Sequence, residues 1–184
     1  LIANRDWKVL FLGTKALGDA SRLQFPFHPS ITTKQMPFQK AGWLQKLHYL
    51  RYCFWVFKWT LHWRPSLIYV SDPLACPVAL LLQSLPETQF IYHEHDSPDI
   101  ASPENVFQRL VLHARCSIAN KAILCIVPSQ QRLKQFIMST NINSRQISCV
   151  WNCPRLEEVG PERRNSIQTT LHLYYHGSIG AHRL

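Results

Sequence analysis

The chain has 184 residues, 46% apolar and 17% charged, which is enough to build one domain around its own core and excludes an intrinsically disordered chain. With 20 Lys and Arg against 11 Asp and Glu the formal charge is +9, favouring anionic partners: sugar nucleotides, phospholipid head groups or nucleic acid. No apolar run reaches the ~20 residues of a membrane span, since the best stretch, residues 47–63, is broken by Arg51 and Lys58.

The start, Leu1-Ile2-Ala3-Asn4-Arg5, has neither a Met nor a signal-peptide pattern and reads as the end of a helix entered midway. Residues 7–13 are an apolar run stopped by Gly13, a buried strand. Residues 14–39 hold Pro26, Pro29 and Pro37 without a clear period and read as a long loop. Residues 40–62 are a helix rich in large aromatics, and residues 67–70 a second strand. Asp72 is placed to cap the next helix with Pro73 at its first position. That helix is apolar almost all round, from Leu74 to Leu82, which predicts deep burial, with Pro77 tolerated near its first turn.

Residues 89–92 are a third strand, leading into His93-Glu94-His95-Asp96-Ser97-Pro98. Ser102-Pro103-Glu104 reads as a helix start, and the helical period then runs to about Ala119. Residues 122–127 are a fourth strand; Ser129 caps a helix with Leu133, Phe136 and Ile137 inward. Residues 146–151 are a fifth strand, ended by Asn152-Cys153-Pro154. Residues 155–170 are charged and aperiodic, a linker; residues 171–175 are a new strand, followed by His176-Gly177-Ser178. A strand and a glycine turn without a following helix cannot bury a core, so a second domain is expected to open here and to be cut short.

The six cysteines form no CxxC pair, and four lie in apolar runs, where Cys acts as a small hydrophobe. A reduced, cytoplasmic protein with structural thiols is expected. Strands alternate with helices and show little period-two patterning, which predicts an α/β fold: a Rossmann-like, mostly parallel sheet with helices on both faces. Right-handed crossovers then bring the strand exits to one edge. Gly13-Thr14, Ser71-Asp72, His93 to Asp96, Pro128-Ser129 and Asn152 are expected along that rim, the place where open α/β sheets bind ligands.

The order strand–Ser71-Asp72-Pro73–apolar helix, then IYHEHDSP, ILCIVPSQQRLKQF, ISCVWNCP, a linker and LYYHGSIG, resembles the family-four retaining glycosyltransferases of the GT-B fold. The resemblance implies two Rossmann-like halves facing across a cleft. Residues 1–154 are then the acceptor-side half without its first strand, 155–170 the linker, and 171–184 the start of the donor-binding half. It implies a nucleotide-sugar donor, a saccharide or lipid-linked acceptor, no cofactor, and a piece unable to transfer sugar alone. His95 is similar to the histidine that meets the donor sugar near the reacting carbon, and Gly177 to the glycine beside donor phosphate.

Around that centre the candidate substrate-binding residues are Asp72, His93, Glu94, Asp96, Ser129 and Gly177. His93 and His95 point the same way if the strand continues. A metal on this pair needs a third ligand that the spacing does not offer, and none is assigned. Glu94 and Asp96 read as loop-capping or helix-start carboxylates ahead of acid/base catalysts, and Arg132 as a solvated arginine ahead of one aimed at an anionic acceptor.

Residues 40–64 set Trp43, Tyr49, Tyr52, Phe54, Trp55, Phe57, Trp59 and Trp63 beside Lys40, Lys46, Arg51, Lys58 and Arg64. The mixture suits an anionic membrane surface at the cytoplasmic face; it equally suits a helix packed on the sheet with its cations outward. Nucleic acid is not expected, because the aromatics lie in apolar runs and not on a stacking face. Two other functions share the coarse features: a basic, membrane-associated binding module without catalysis, and a sugar-nucleotide epimerase of the same fold.

Overall fold

A computed structural model describes residues 7–15, 28–40, 42–86, 88–97 and 105–151. It divides into the compact units Leu1–Trp151 and Asn152–Leu184. The whole second unit, with Asn152, the linker, the strand at 171–175 and Gly177, lies outside the described residues.

The first unit is α/β with parallel strands and intervening helices, as the pattern predicts. In chain order it holds β1 (Val9–Thr14), β2 (Ile31–Met36), α1 (Trp43–Trp63), β3 (Leu67–Ser71), α2 (Cys76–Leu82), β4 (Gln89–His93), α3 (Val106–Lys121), β5 (Leu124–Val127), α4 (Gln130–Thr140) and β6 (Ile147–Cys149). One sheet has the order β3-β4-β5-β6, parallel throughout; β1 and β2 form a separate parallel pair.

β2 corrects the long loop expected over residues 14–39. Ile31, Thr32 and Thr33 are β-branched and fit a pleated surface, and the run lies between Pro29 and Pro37, which mark its ends. Gly13-Thr14 end this separate pair, where Thr14 ladders with Met36.

Backbone chemistry sets the helix ends. α1 stops at Arg64, in the left-handed region at φ 50, whose N–H closes on Thr60 O at 2.8 Å before Pro65. α4 ends the same way at Asn141, φ 53, a residue that tolerates that conformation. α3 is capped by Asn105, whose side chain accepts from Gln108 N at 2.9 Å. The helix therefore begins after the expected Ser102-Pro103-Glu104 signal, which lies outside the described residues.

The core sits where the four-stranded sheet meets its helices. Val70, Phe90, Tyr92, Cys125 and Val127 come from strands, and Cys76, Val78, Ala79 and Leu82 from the α2 segment. α3 adds Ala114, Ile118 and Ala119, and α4 adds Phe136. Burial of the α2 segment is one-sided and not all round: Leu74 and Leu81 are exposed.

The inner face of α1 packs through Tyr49, Tyr52, Cys53, Val56 and Thr60. Tyr49 Oη donates to Leu74 O at 2.9 Å and its ring meets Phe107 edge-on at 5.1 Å. Its outer face leaves Trp43, Leu47, Leu50, Phe54 and Leu61 exposed, the first, third and fourth at 73%, 64% and 72%. Among the described residues no helix is long and apolar enough to cross a membrane.

Candidate active site at the strand exits

Parallel register brings the ends of β3, β4 and β5 side by side: Ser71 pairs with His93, and His93 with Ile126. Beyond the last rungs the chains stay tied. Asp72 N donates to His93 O at 2.9 Å, Glu94 N to Ile126 O at 3.0 Å and Val150 N to Val127 O at 2.9 Å.

Asp72 is at a helix start, as expected, but its carboxylate makes no cap bond to its own helix. It reaches across to the next strand exit, where Oδ1 accepts from His95 N at 3.0 Å and Asp96 N at 3.5 Å. The backbone at Asp72 has φ 67 and ψ 159, a region that costs a non-glycine residue roughly 1–3 kcal/mol and persists where surrounding bonds over-determine it. Those two N–H bonds are such a constraint. The expected helix cap is thus a loop clamp.

Side chains leave β4 on alternate faces. Tyr92 and Glu94 go down into the core, both fully buried. Glu94 is therefore not a loop or helix-start carboxylate. Its Oε2 accepts from Tyr92 Oη at 2.7 Å and Arg115 Nε at 2.5 Å; its Oε1 accepts from Arg115 Nη2 at 2.9 Å and Ser97 Oγ at 2.8 Å. Four donors fill the roughly four acceptor sites of a carboxylate. Nothing is left on Glu94 for a ligand, which corrects its expected place among substrate-binding residues.

His93 and His95 emerge on the opposite face with ring centroids 3.7 Å apart and planes 38° apart. Tyr69, on the same face two residues before Ser71, bonds its hydroxyl to His93 Nδ1. Burial, then the Asp72 charge, raises the Tyr69 pKa, and the tautomer of His93 sets which of the two partners donates. Burial and then the adjacent His95 lower the His93 pKa, against a weaker pull from Asp72.

Folding therefore favours neutral His93. Below the ordinary imidazole pKa of about 6.5 the unfolded chain takes a proton that the folded chain refuses. The stability present above that pH should fall as the solution is acidified through it. His93→Gln should flatten the drop in urea midpoint between pH 7.5 and pH 5.5; an unchanged slope would assign it to another group.

Ser129 caps α4, its Oγ accepting from Arg132 N at 3.3 Å. Arg132 is not the solvated arginine expected. Its Nη1 bonds the His95 carbonyl, and its Nη2 lies 3.6 Å from Asp96 Oδ1, a carboxylate that is itself mostly exposed. Asp72 and Arg132 thus grip the same two residues from β3 and α4.

The structure brings Asp72, His93, His95 and Asp96 together, with Ser129 joined through Arg132; it places Glu94 beneath them. Sequence reasoning missed Tyr69 and Arg115, and it named Arg132 without its bond to the His95 carbonyl. Arg115 had a signal, since it shares the inward period of Val111, Ala114 and Ile118 and a lone arginine there needs a partner. Among the described residues no group of three His, Cys, Asp or Glu side chains is arranged to hold a metal. Burial pushes the Cys76 and Cys125 thiols up to about 12, which makes them core hydrophobes and not nucleophiles.

The model of the Glycosyl transferase 4-like domain matches residues 2–150 of this chain. No curated protein matches it.

Proposed function

This chain belongs to the glycosyl transferase 4-like domain family, and from that premise we propose that it serves the transfer of a sugar from a nucleotide-sugar donor to a saccharide or lipid-linked acceptor, with retention at the transferred carbon. The observation that carries the reading is the clamped strand exit: Asp72 holds the His95 backbone at 3.0 Å while two imidazoles stand together beside it. In this reading residues 1–154 form the acceptor-side half, 155–170 link, and 171–184 open the donor-binding half with Gly177 against donor phosphate.

His95 is the residue at the reacting carbon. Its ring donates to a hydroxyl of the transferred sugar as the bond to the nucleoside diphosphate breaks and positive charge grows on the ring carbon. The acceptor hydroxyl attacks from the face the diphosphate leaves, its proton passing to the departing diphosphate oxygen, and no protein nucleophile is assigned. His93 keeps the imidazole stack neutral on its side. Asp96 and the capped start of α4 at Ser129 face acceptor hydroxyls. The test is release of nucleoside diphosphate, on a panel of nucleotide sugars and acceptors, by the protein carrying both halves. Release that does not depend on an acceptor would count against transfer.

The outer face of α1 supports a lipid surface as the place where the acceptor is met. Its exposed apolar residues lie beside Lys46, Arg51 and Lys58, with no acidic residue in the helix. Each cation near an anionic leaflet is worth about 1 kcal/mol. Reversing all three charges (K46E, R51E, K58E) is expected to abolish co-sedimentation with vesicles containing phosphatidylserine. Equal, low recovery of the unaltered chain on neutral and anionic vesicles would rule the contact out.

A further inference from the structure

We propose that the buried Glu94–Arg115 pair is a positioning device for His95: it fastens the turn after β4 to α3 and α4 from below, so that the residues above it meet Asp72 and Arg132 in one geometry. The proposal rests on the reading of His95 as the residue at the reacting carbon.

The argument starts from parity. In the segment 92–95, Tyr92 and Glu94 point into the core while His93 and His95 point to the rim. A shift of one residue would exchange the two sets and put a histidine where the core is closed. The pair opposes that shift. Arg115 meets both oxygens of Glu94, and its Nη1 also donates to Ser139 Oγ at 3.1 Å. Its guanidinium lies 4.9 Å from the centre of the Phe136 ring, which in turn stacks with Tyr92 at 5.9 Å. Sliding the turn would strip a charged group of its partner where water does not reach, an outcome proteins strongly disfavour.

Ser97 completes the device. Its bond to Glu94 Oε1 closes the turn around the same carboxylate, so residues 94–97 form a short loop pinned at both ends. Between the pins lie His95 and Asp96, whose amides reach Asp72 and whose carbonyl and carboxylate reach Arg132. Hydrogen bonds above set the orientation, and the ion pair below sets the register. A buried charged pair is a poor way to add stability, because an apolar pair of similar volume commonly does as well. Here it has a second use, since the carboxylate also receives Ser97 and Tyr92, which an apolar pair could not do.

The test separates positioning from plain stability. Glu94→Leu with Arg115→Met replaces the pair by apolar side chains, and amide hydrogen exchange is followed residue by residue in the whole chain. If the pair positions the turn, exchange at His95 and Asp96 should rise by about ten-fold or more relative to the β4 ladder amides. Uniform change, or none, would make the pair structural only and overturn the proposal. Should the double variant fail to fold, Ser97→Ala removes just the upper pin. A selective rise at the same two amides is then expected, and its absence is equally decisive. The measurement uses neither donor nor acceptor, so it stands apart from the role of His95, which fails separately if His95→Ala transfers sugar normally.

Discussion

Arg115→Ala should be the most destabilising single substitution in the described unit. It leaves the Glu94 carboxylate fully buried with two of its four donors gone, and orphaning one partner of a buried pair costs about 3–5 kcal/mol. The whole stability of such a domain is ~5–15 kcal/mol, so roughly a fifth or more of it is at stake. For a chain of this size roughly 2–4 °C of melting temperature accompanies each kcal/mol, giving an expected drop of about 6–20 °C. Thermal and urea unfolding monitored by circular dichroism read this directly. The double replacement Glu94→Leu with Arg115→Met should recover most of the loss, because it removes both charges at once. If Arg115→Ala melts within about 2 °C of the unaltered chain, less than the shift from one kcal/mol, the pair is not buried as the structure has it.

His95→Ala should give the largest functional loss. In the transfer assay kcat is expected to fall by about 10²–10³, within the range for removing a positioned acid or base. The Michaelis constant for the acceptor should change far less, because the contact strengthens as charge develops and adds little in the ground state. Melting should hardly move: the His95 side chain is exposed, and its backbone bonds to Asp72 and Arg132 survive the substitution. Asp72→Ala offers the informative contrast, since it spares the imidazole and frees the backbone. It should also lower kcat, by less, while relieving none of the strain at φ 67. Transfer by His95→Ala at the unaltered rate would place the reacting carbon elsewhere on the rim.

Local chemistry explains which parts of this site are readable without coordinates. Ser129 before a helical period is a cap by its own side chain, and the structure has it bonded to Arg132 N. The strand exits follow from apolar runs ended by polar residues, and parallel order follows from the helices between them. Three features resisted for a common reason. Asp72 has the residue type and position of a helix cap, yet its best donors are amides 23 and 24 residues away in sequence. Glu94 and Asp96 look alike in the string HEHD, and strand parity alone would put both on one face; one carboxylate is fully buried and the other is 86% exposed, because the chain bends at residues 95 and 96, past the end of β4. Arg132 reads as an ordinary polar position on an amphipathic helix until α4 is docked beside the turn after β4.

The outer face of α1 shows the converse. Its aromatics and cations are plain in the sequence, but their division is not. Tyr49, Tyr52 and Trp55 turn inward, while Trp43, Leu50 and Phe54 stay outside, and the choice depends on which face α2 and the sheet occupy.

By itself the sequence determined what depends on neighbours along the chain: the succession of strands and helices, the family motifs and the rim of polar exits, because apolar period, turn residues and caps act within a few residues. Tertiary structure alone decided the partners. Burial at Glu94, the crossing from Asp72 to His95 and the grip of Arg132 each join segments far apart in sequence, and such contacts are selected only when competing hydrogen bonds and charges must be satisfied together in a closed core.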